Sequence, residues 1–284
     1  MNHWDGVSVL RRDDEAAQDV RFLADRWAAP GSSVLHLDDE QRVGSTDGHL
    51  CFAPPAGALP DDVLYLGSVD GHDWFATYDP LVRDAESLRA LRLNQVESLV
   101  ATRAAALLGW HRLALPCERC GGPTRMIPGG ASRVCTVCGL PAFARVDPAV
   151  IVGVLDPDDR LFLAHQQAWG AGRVSILAGF VEAGESAEQA CHREVFEESH
   201  LRLERLRYVG SQPWPFPRSI MLGFVATTSD TVGQVDGVEL AWGRFFSRAD
   251  YVEQSSAGAI SGPGHTSIAH RIVSSWLDGS LDAP

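Results

Sequence analysis

Gly179-Phe-Val-Glu-Ala-Gly-Glu-Ser-Ala-Glu-Gln-Ala-Cys-His-Arg-Glu-Val-Phe-Glu-Glu-Ser-His-Leu201 is the stretch that decides the fold. A glycine-bearing turn runs into Ser186, and Gln189 stands three residues on. These are the two halves of a capping box, so the spacing predicts that a helix begins here. On that helix Glu194, Glu197 and Glu198 stand at spacings of three and four, which turns their carboxylates toward one face within a single turn. Acids held so close repel one another, and a hard divalent cation with oxygen ligands, Mg²⁺ or Mn²⁺, is the natural occupant. Arg193 can orient a carboxylate or neutralise part of the excess charge. Ala187, Ala190, Cys191 and Val195 make an opposite face, small and apolar, suited to packing on a sheet. Taken alone, Glu-x-x-Glu-Glu is more often a solvated acidic face; the residues around it decide otherwise.

The stretch resembles the Nudix box: a glycine, five residues, a glutamate, seven residues, then Arg-Glu-apolar-x-Glu-Glu-x-Gly-apolar. Gly179, Glu185, Arg193, Glu194, Val195, Glu197, Glu198 and Leu201 fall in register. His200 stands where the family has its last glycine. That glycine suits a left-handed residue ending the helix, a conformation histidine adopts more readily than most residues, at a cost of roughly 1 kcal/mol. The departure touches the helix end and no metal ligand.

Composition narrows the rest. The chain has 284 residues and 45% hydrophobic content, room for more than one buried core. Met1 to Asp14 lack the apolar run of a signal peptide, and no stretch approaches the ~18 apolar residues of a membrane span. We therefore expect a cytoplasmic protein with no membrane partner. A formal charge of −13 argues against a sequence-independent grip on nucleic acid. All 24 basic residues are arginine, which excludes a Walker-type loop and a Schiff-base lysine.

Residues 1–112 read as an α/β domain, with β-like runs at Ser33–Leu37, Val63–Leu66 and Asp73–Tyr78. A helical pattern from Leu88 to Leu108 follows and is expected to end at Gly109. His36, His49, His72 and His111 are scattered and read as surface or core histidines. In residues 113–144, Cys117-x-x-Cys120 and Cys135-x-x-Cys138, each with a glycine directly after, form a pair of knuckles for a four-thiolate zinc site. With no secretion signal, disulfides are the weaker reading. Four thiolates leave no open position for water, so the expected role is structural. Cys51 and Cys191 read as buried small hydrophobes. Residues 145–284 give strands at 145–155, 161–164, 203–210, 220–227 and 244–246 around the glutamate helix, with a terminal helix at Ser267–Leu277. The fold class is α/β: an α/β/α sandwich with a mixed sheet, preceded by a zinc ribbon and an N-terminal α/β domain.

A second sharp signal is Ser211-Gln-Pro-Trp-Pro-Phe-Pro217. Alternating prolines should hold the segment extended and present Trp214 and Phe216 as faces for a flat heterocycle. With Ser219 added, the segment looks like the signature of the NADH pyrophosphatase subfamily, which also carries a four-cysteine ribbon and forms homodimers. The resemblance is strong from Cys117 onward and weak before it; Phe143-Ala-Arg145 departs from the subfamily's common Tyr-Pro-Arg.

The resemblance implies hydrolysis of the pyrophosphate of NAD(H) to nicotinamide mononucleotide and AMP and, by the same chemistry, removal of NAD from the 5′ end of capped RNA. It implies Glu194, Glu197, Glu198 and Glu239 as metal ligands and Phe180 and Trp214 as aromatics around the base. Gln212 and Ala269 lie in substrate-contacting stretches, and Trp214 has the option of acting across a dimer interface. Metal would lower the pKa of a bound water and neutralise charge on the phosphoryl oxygens, with Glu197 or Glu239 as the base. The rivals are a Nudix diphosphatase acting on ADP-ribose, a non-catalytic nucleotide sensor, and a zinc-ribbon nucleic-acid binder, the last opposed by the acidic balance. The 2′-phosphate of NADPH would need an arginine; Arg173 and Arg218 are near in sequence only.

Overall fold

The computed structural model describes residue 4 and residues 6–113, 115–235 and 237–284. The reading of Met1 to Asp14 as lacking a leader falls partly on Met1, Asn2, His3 and Asp5, outside the described residues. Among the described residues no helix is long and apolar enough to cross a membrane. The chain forms two compact units: Met1–Val146 with Trp214–Arg218, and Asp147–Pro213 with Ser219–Pro284.

The first unit opens with α1 (Val20–Trp27), whose N-terminal amide at Arg21 is capped by Asp19. Strands β1 (Ser33–Leu37), β2 (Arg42–Thr46), β3 (His49–Leu50), β4 (Phe52–Ala53), β5 (Leu64–Val69), β6 (His72–Tyr78) and β7 (Ala85–Ser87) build one sheet in the order β3-β2-β1-β6-β5, with β4 on β1 and β7 on β2. Helix α2 (Gln95–Leu113) lays Val100, Ala104 and Ala105 against Leu35, Leu64 and Leu66 of that sheet. It begins later and ends later than the leucine spacing suggested. Leu88 and Leu91 are buried core residues of the preceding segment, and Gly109 sits inside the helix. A lone glycine weakens a helix by only about 1 kcal/mol, which packing on the sheet overrides. Three short strands, β8 (Thr124–Met126), β9 (Ser132–Cys135) and β10 (Pro141–Phe143), make the ribbon.

The second unit contains β11 (Asp147–Leu155), β12 (Leu161–Gln166), β13 (Leu177–Phe180), α3 (Ala187–Ser199), β14 (Arg205–Trp214), β15 (Ser219–Thr227), β16 (Leu240–Phe246), α4 (Arg248–Ser256) and α5 (Ile268–Leu277). Its sheet runs β14-β15-β11-β12-β16, with β13 on β11, and is mixed because β11 and β15 are parallel. Alternation along β11 explains the layers. Val150, Val152 and Val154 pack with Ala190, Cys191 and Val195 of α3. Ile151 and Leu155 pack with Ile268, Ile272, Val273 and Trp276 of α5. Helices thus cover both faces, the expected α/β/α sandwich. Helix α4 was not expected, although Ser247 and Asp250 form its capping box.

The two sheets share one connectivity. β1 has a parallel partner β6, a hairpin partner β2 and an antiparallel partner β4; β11 has β15, β12 and β13 in the same roles. Their hairpin turns match as well. Asp38 accepts from the amides of Glu40 and Arg42 and from Arg42 Nε at 2.7 Å, and Asp156 accepts from the amides of Asp158 and Arg160 and from Arg160 Nε at 2.7 Å. Between β13 and β14 lies α3; between β4 and β5 residues 54–63 run without a helix. The glutamate helix is what distinguishes the second unit.

Candidate active site and metal centres

The capping box forms as the spacing required: Gln189 N donates to Ser186 Oγ at 3.2 Å, and Ser186 N donates to Gln189 Oε1 at 2.8 Å. At the other end His200 takes φ 57° and ψ 12°, the left-handed conformation expected of the position. Its Nδ1 lies 2.9 Å from the Gln234 carbonyl and its ring 5.4 Å from that of Phe196. Cys191 is buried, and burial pushes its thiol up to about 12, which excludes it as a nucleophile.

Packing α3 on β13 seats Glu194 directly over Gly179. A Cβ on Gly179 would stand 1.9 Å from the Glu194 Cδ, so only glycine admits the carboxylate. Burial raises the Glu194 pKa above its ordinary value, Arg193 opposes this, and the charges of Glu197 and Glu239 add to the rise. Arg193 is the hub. Its Nε and Nη2 donate to the two oxygens of Glu185 at 2.9 and 2.8 Å, and Nη2 also donates to the Phe180 carbonyl at 2.9 Å. Its Nη1 lies 2.9 Å from Glu194 and 3.1 Å from Glu197. The hydrogen bonds from Arg193 hold the Glu185 carboxyl below its ordinary value and the guanidinium above its own. Glu198 is buried, whereas the Glu197 side chain is 59% exposed.

The other candidate residues are placed differently. Phe180 is exposed at the end of β13. Gln212 is buried and used at both ends of its amide: Nε2 donates to the Thr266 carbonyl at 2.7 Å, and Oε1 accepts from Ile268 N at 2.6 Å. It fixes the start of α5, where Ala269 is buried in the first turn. Ser219 is buried opposite Asp147 in the parallel ladder. Glu239 lies exposed just before β16, its carbonyl accepting from Gln167 N at 3.1 Å. Trp214 and Phe216 belong to the first unit. The segment is not extended throughout: after Trp214 it turns, with Phe216 N donating to the Trp214 carbonyl at 2.8 Å. Prolines at 213, 215 and 217 have no amide to extend a ladder, so the chain folds back into β15. The two rings meet edge to face at 5.2 Å, Phe216 packs on the α2 core, and the Arg89 guanidinium lies 4.6 Å from the Phe216 ring centroid and 5.8 Å from that of Trp214. Nothing in the sequence signalled Arg89, which meets these rings only through the fold.

The ribbon brings Cys117, Cys120, Cys135 and Cys138 together, with all four Sγ atoms within 4.8 Å of one another. Each knuckle is closed by a glycine with positive φ: Gly121 N donates to Cys117 O at 2.8 Å and Gly139 N to Cys135 O at 3.1 Å. Among the described residues this tetrad is the one group of three or more ligand atoms drawn so close. The glutamates are instead spread around Arg193. Cys51, expected to be buried, is exposed between β3 and β4, because Leu50 takes the inward position beside it.

The NUDIX domain family matches residues 145–261. The NAD-capped RNA hydrolase NudC of Mycobacterium bovis is 37% identical over 289 aligned residues, covering 93% of this chain and 91% of that protein. The protein of the same name from Mycobacterium tuberculosis gives the same figures, 37%, 93% and 91%. The human NAD-capped RNA hydrolase NUDT12 is 35% identical over 66% of this chain and 43% of its own length. The chain belongs to the NudC-like Nudix hydrolases.

Nudix hydrolases use divalent metals, and the Nudix helix fits one. Its donors are all carboxylate oxygens, Glu194 occupies a cradle that a side chain on Gly179 would fill, and burial, with the charges of Glu197 and Glu239 adding to it, raises its pKa, a cost that a bound cation relieves. The tetrad fits a metal that prefers thiolates. Sequence reasoning kept Glu185 in register without giving it a task; in this Nudix hydrolase it is the carboxylate that orients Arg193.

Proposed function

We propose that this chain hydrolyses the pyrophosphate bond of NAD(H), giving nicotinamide mononucleotide and AMP, and removes NAD from the 5′ ends of capped RNA by the same cut. The observation that carries the reading is the Glu194 carboxylate seated over Gly179 on a helix that also bears Glu197 and Glu198. The names of the relatives supply the substrate. Mg²⁺ or Mn²⁺ bound there would activate water and neutralise phosphoryl charge. Glu194 and Glu198 are the proposed ligands, with Glu197 or Glu239 holding the water proton. Arg193 keeps the carboxylates apart and pins the Phe180 backbone, so that the exposed Phe180 ring can stack on a base. Trp214, acting across the proposed dimer interface, is the second proposed stacking ring. Gln212, Ser219 and Ala269 are the remaining proposed substrate contacts, and Phe216 supports Trp214.

Zinc in the cysteine tetrad, a cytoplasmic homodimer, and a three-part division at residues 112 and 144 complete the proposal. The deciding experiment incubates purified protein with NADH and, separately, ADP-ribose, each with Mg²⁺ or Mn²⁺ or with EDTA, and separates the products by chromatography. Metal-dependent release of the reduced mononucleotide and AMP, lost in Glu197→Gln and slower on ADP-ribose, is expected. Cleavage of ADP-ribose alone would make this a different Nudix diphosphatase, and a folded protein that binds NADH without cleaving it would be a sensor.

A further inference from the structure

The segment between β12 and β13 carries an aromatic and cationic cluster that the proposed reaction does not use. Trp169 is half-buried, and the Arg173 guanidinium lies 4.7 Å from its ring centroid. His165 stands edge-on to Trp169 at 6.4 Å and stacks on Trp242 at 5.8 Å with an interplanar angle of 24°. His165 Nδ1 also lies 2.7 Å from the Arg173 carbonyl, so the donor must be the ring nitrogen and the loop is tied back on itself. The cluster is therefore braced rather than loose. Among the described residues Arg173 has no carboxylate within ion-pair distance, although 37 acids are distributed along this chain.

Two anchors fix where this platform stands. At one end Gln167 donates from its backbone to the Glu239 carbonyl at 3.1 Å and from Nε2 to the Gly237 carbonyl at 2.7 Å. At the other end Val174 N donates to Ser261 O, and Ser261 N to Gly172 O, both at 2.8 Å. Ser261 leads into the start of α5, which Gln212 holds. The platform is thus strung between the segment carrying Glu239 and the approach to Ala269.

We propose that Trp169 and Arg173 form a subsite for the first nucleotide after the cap of NAD-capped RNA, with Arg173 on the phosphate joined to the adenosine ribose and Trp169 stacked on the base that follows. An indole offers a π-face to any base, and an arginine without an acidic partner can meet a phosphodiester even on an acidic protein. The proposal rests on the NAD pyrophosphatase reading and adds how the longer substrate is told from the shorter. NADH lacks both groups; NADPH has a phosphate on the same ribose but no further base.

The test measures initial rates of the full-length protein on NADH, NADPH and a short NAD-capped oligoribonucleotide for wild type, Arg173→Ala, Arg173→Lys, Trp169→Ala and Trp169→Phe. Trp169→Ala is expected to raise KM for the capped oligonucleotide about tenfold while NADH and NADPH change less than about twofold, with Trp169→Phe close to wild type. Arg173→Ala is expected to raise KM for the capped oligonucleotide and for NADPH but not for NADH, with partial recovery in Arg173→Lys. Equal losses on all three substrates would mean a structural pair and overturn the proposal, as would an effect confined to NADPH. If wild type does not cleave NADH, the underlying reading has failed on its own terms. Equilibrium binding of the capped oligonucleotide then judges the subsite, and equal Kd for wild type, Arg173→Ala and Trp169→Ala would overturn it.

Discussion

Gly179 and Glu194 compete for one volume: a Cβ on Gly179 would lie 1.9 Å from the Glu194 Cδ and 2.1 and 2.3 Å from its two oxygens. Gly179→Ala must therefore displace the carboxylate or part α3 from β13. A shift of this kind at a catalytic group costs on the order of a hundredfold in rate. We expect kcat/KM on NADH to fall about that far while the unfolding midpoint moves little. Activity within twofold of wild type would show that Glu194 is not held there for catalysis.

Cys135→Ser removes one of four thiolates whose sulfur atoms lie within 4.8 Å of each other. Elemental analysis should find about one zinc per wild-type chain and little in the variant. The thermal midpoint should drop by roughly 5–10 °C, since a structural site contributes its binding energy to folding. Full wild-type stability without zinc would return the tetrad to the disulfide reading.

His111 supplies a pH dependence. Arg133 Nη1 donates to its Nδ1 at 3.0 Å, so the ring must be neutral and its Nε2 donates to the Gly130 carbonyl at 2.6 Å. Burial, then the Arg133 charge, lowers its pKa below 6.5, with the Gly130 carbonyl opposing. A depressed histidine binds fewer protons folded than unfolded, so stability is complete above the unfolded value and falls as pH drops below about 6.5. The slope for one such group is at most about 1.4 kcal/mol per pH unit, less for a partly solvated ring. Urea unfolding at pH 7.5 and 5.5 should show this loss in wild type and a smaller one in His111→Gln.

What the sequence made legible was local chemistry. Ser186 and Gln189, each Cys-x-x-Cys knuckle and the left-handed His200 depend on neighbours a few residues away, and each formed as its spacing required. What stayed hidden depends on partners brought by folding. The leucines from Leu88 to Leu93 have helical spacing but serve a non-helical segment, because the sheet beneath them, not the period, sets their burial. Gln212 looked like a ligand contact, yet its amide is used by Thr266 and Ile268, far along the chain. The shared connectivity of the two sheets left one trace, the Leu-Asp-x-x-x-Arg hairpins at Leu37 and Leu155, whose meaning appears only with the strand register.

His200→Gly should be nearly silent. Glycine removes a left-handed strain of about 1 kcal/mol but also the Gln234 contact and the packing on Phe196. We expect a stability change within about 1 kcal/mol and unchanged activity, whereas His200→Ala keeps the strain, loses the contacts and should cost about 1 kcal/mol or more. A large gain in activity for His200→Gly would show that the helix end limits this enzyme.

Separating base from ligand needs two readouts. Glu197 is mostly exposed and bonded to Arg193, while Glu194 is largely buried over Gly179, so the two meet a metal and a water from different surroundings. If Glu197 takes the proton, Glu197→Gln lowers kcat by about 10²–10⁴ while the metal concentration giving half-maximal rate stays near wild type. If Glu197 is a ligand and Glu239 the base, Glu197→Gln instead raises the metal requirement, rate returns at high Mn²⁺, and the kcat loss passes to Glu239→Gln. Losses in both variants that metal restores would assign both residues to coordination and leave neither as the base.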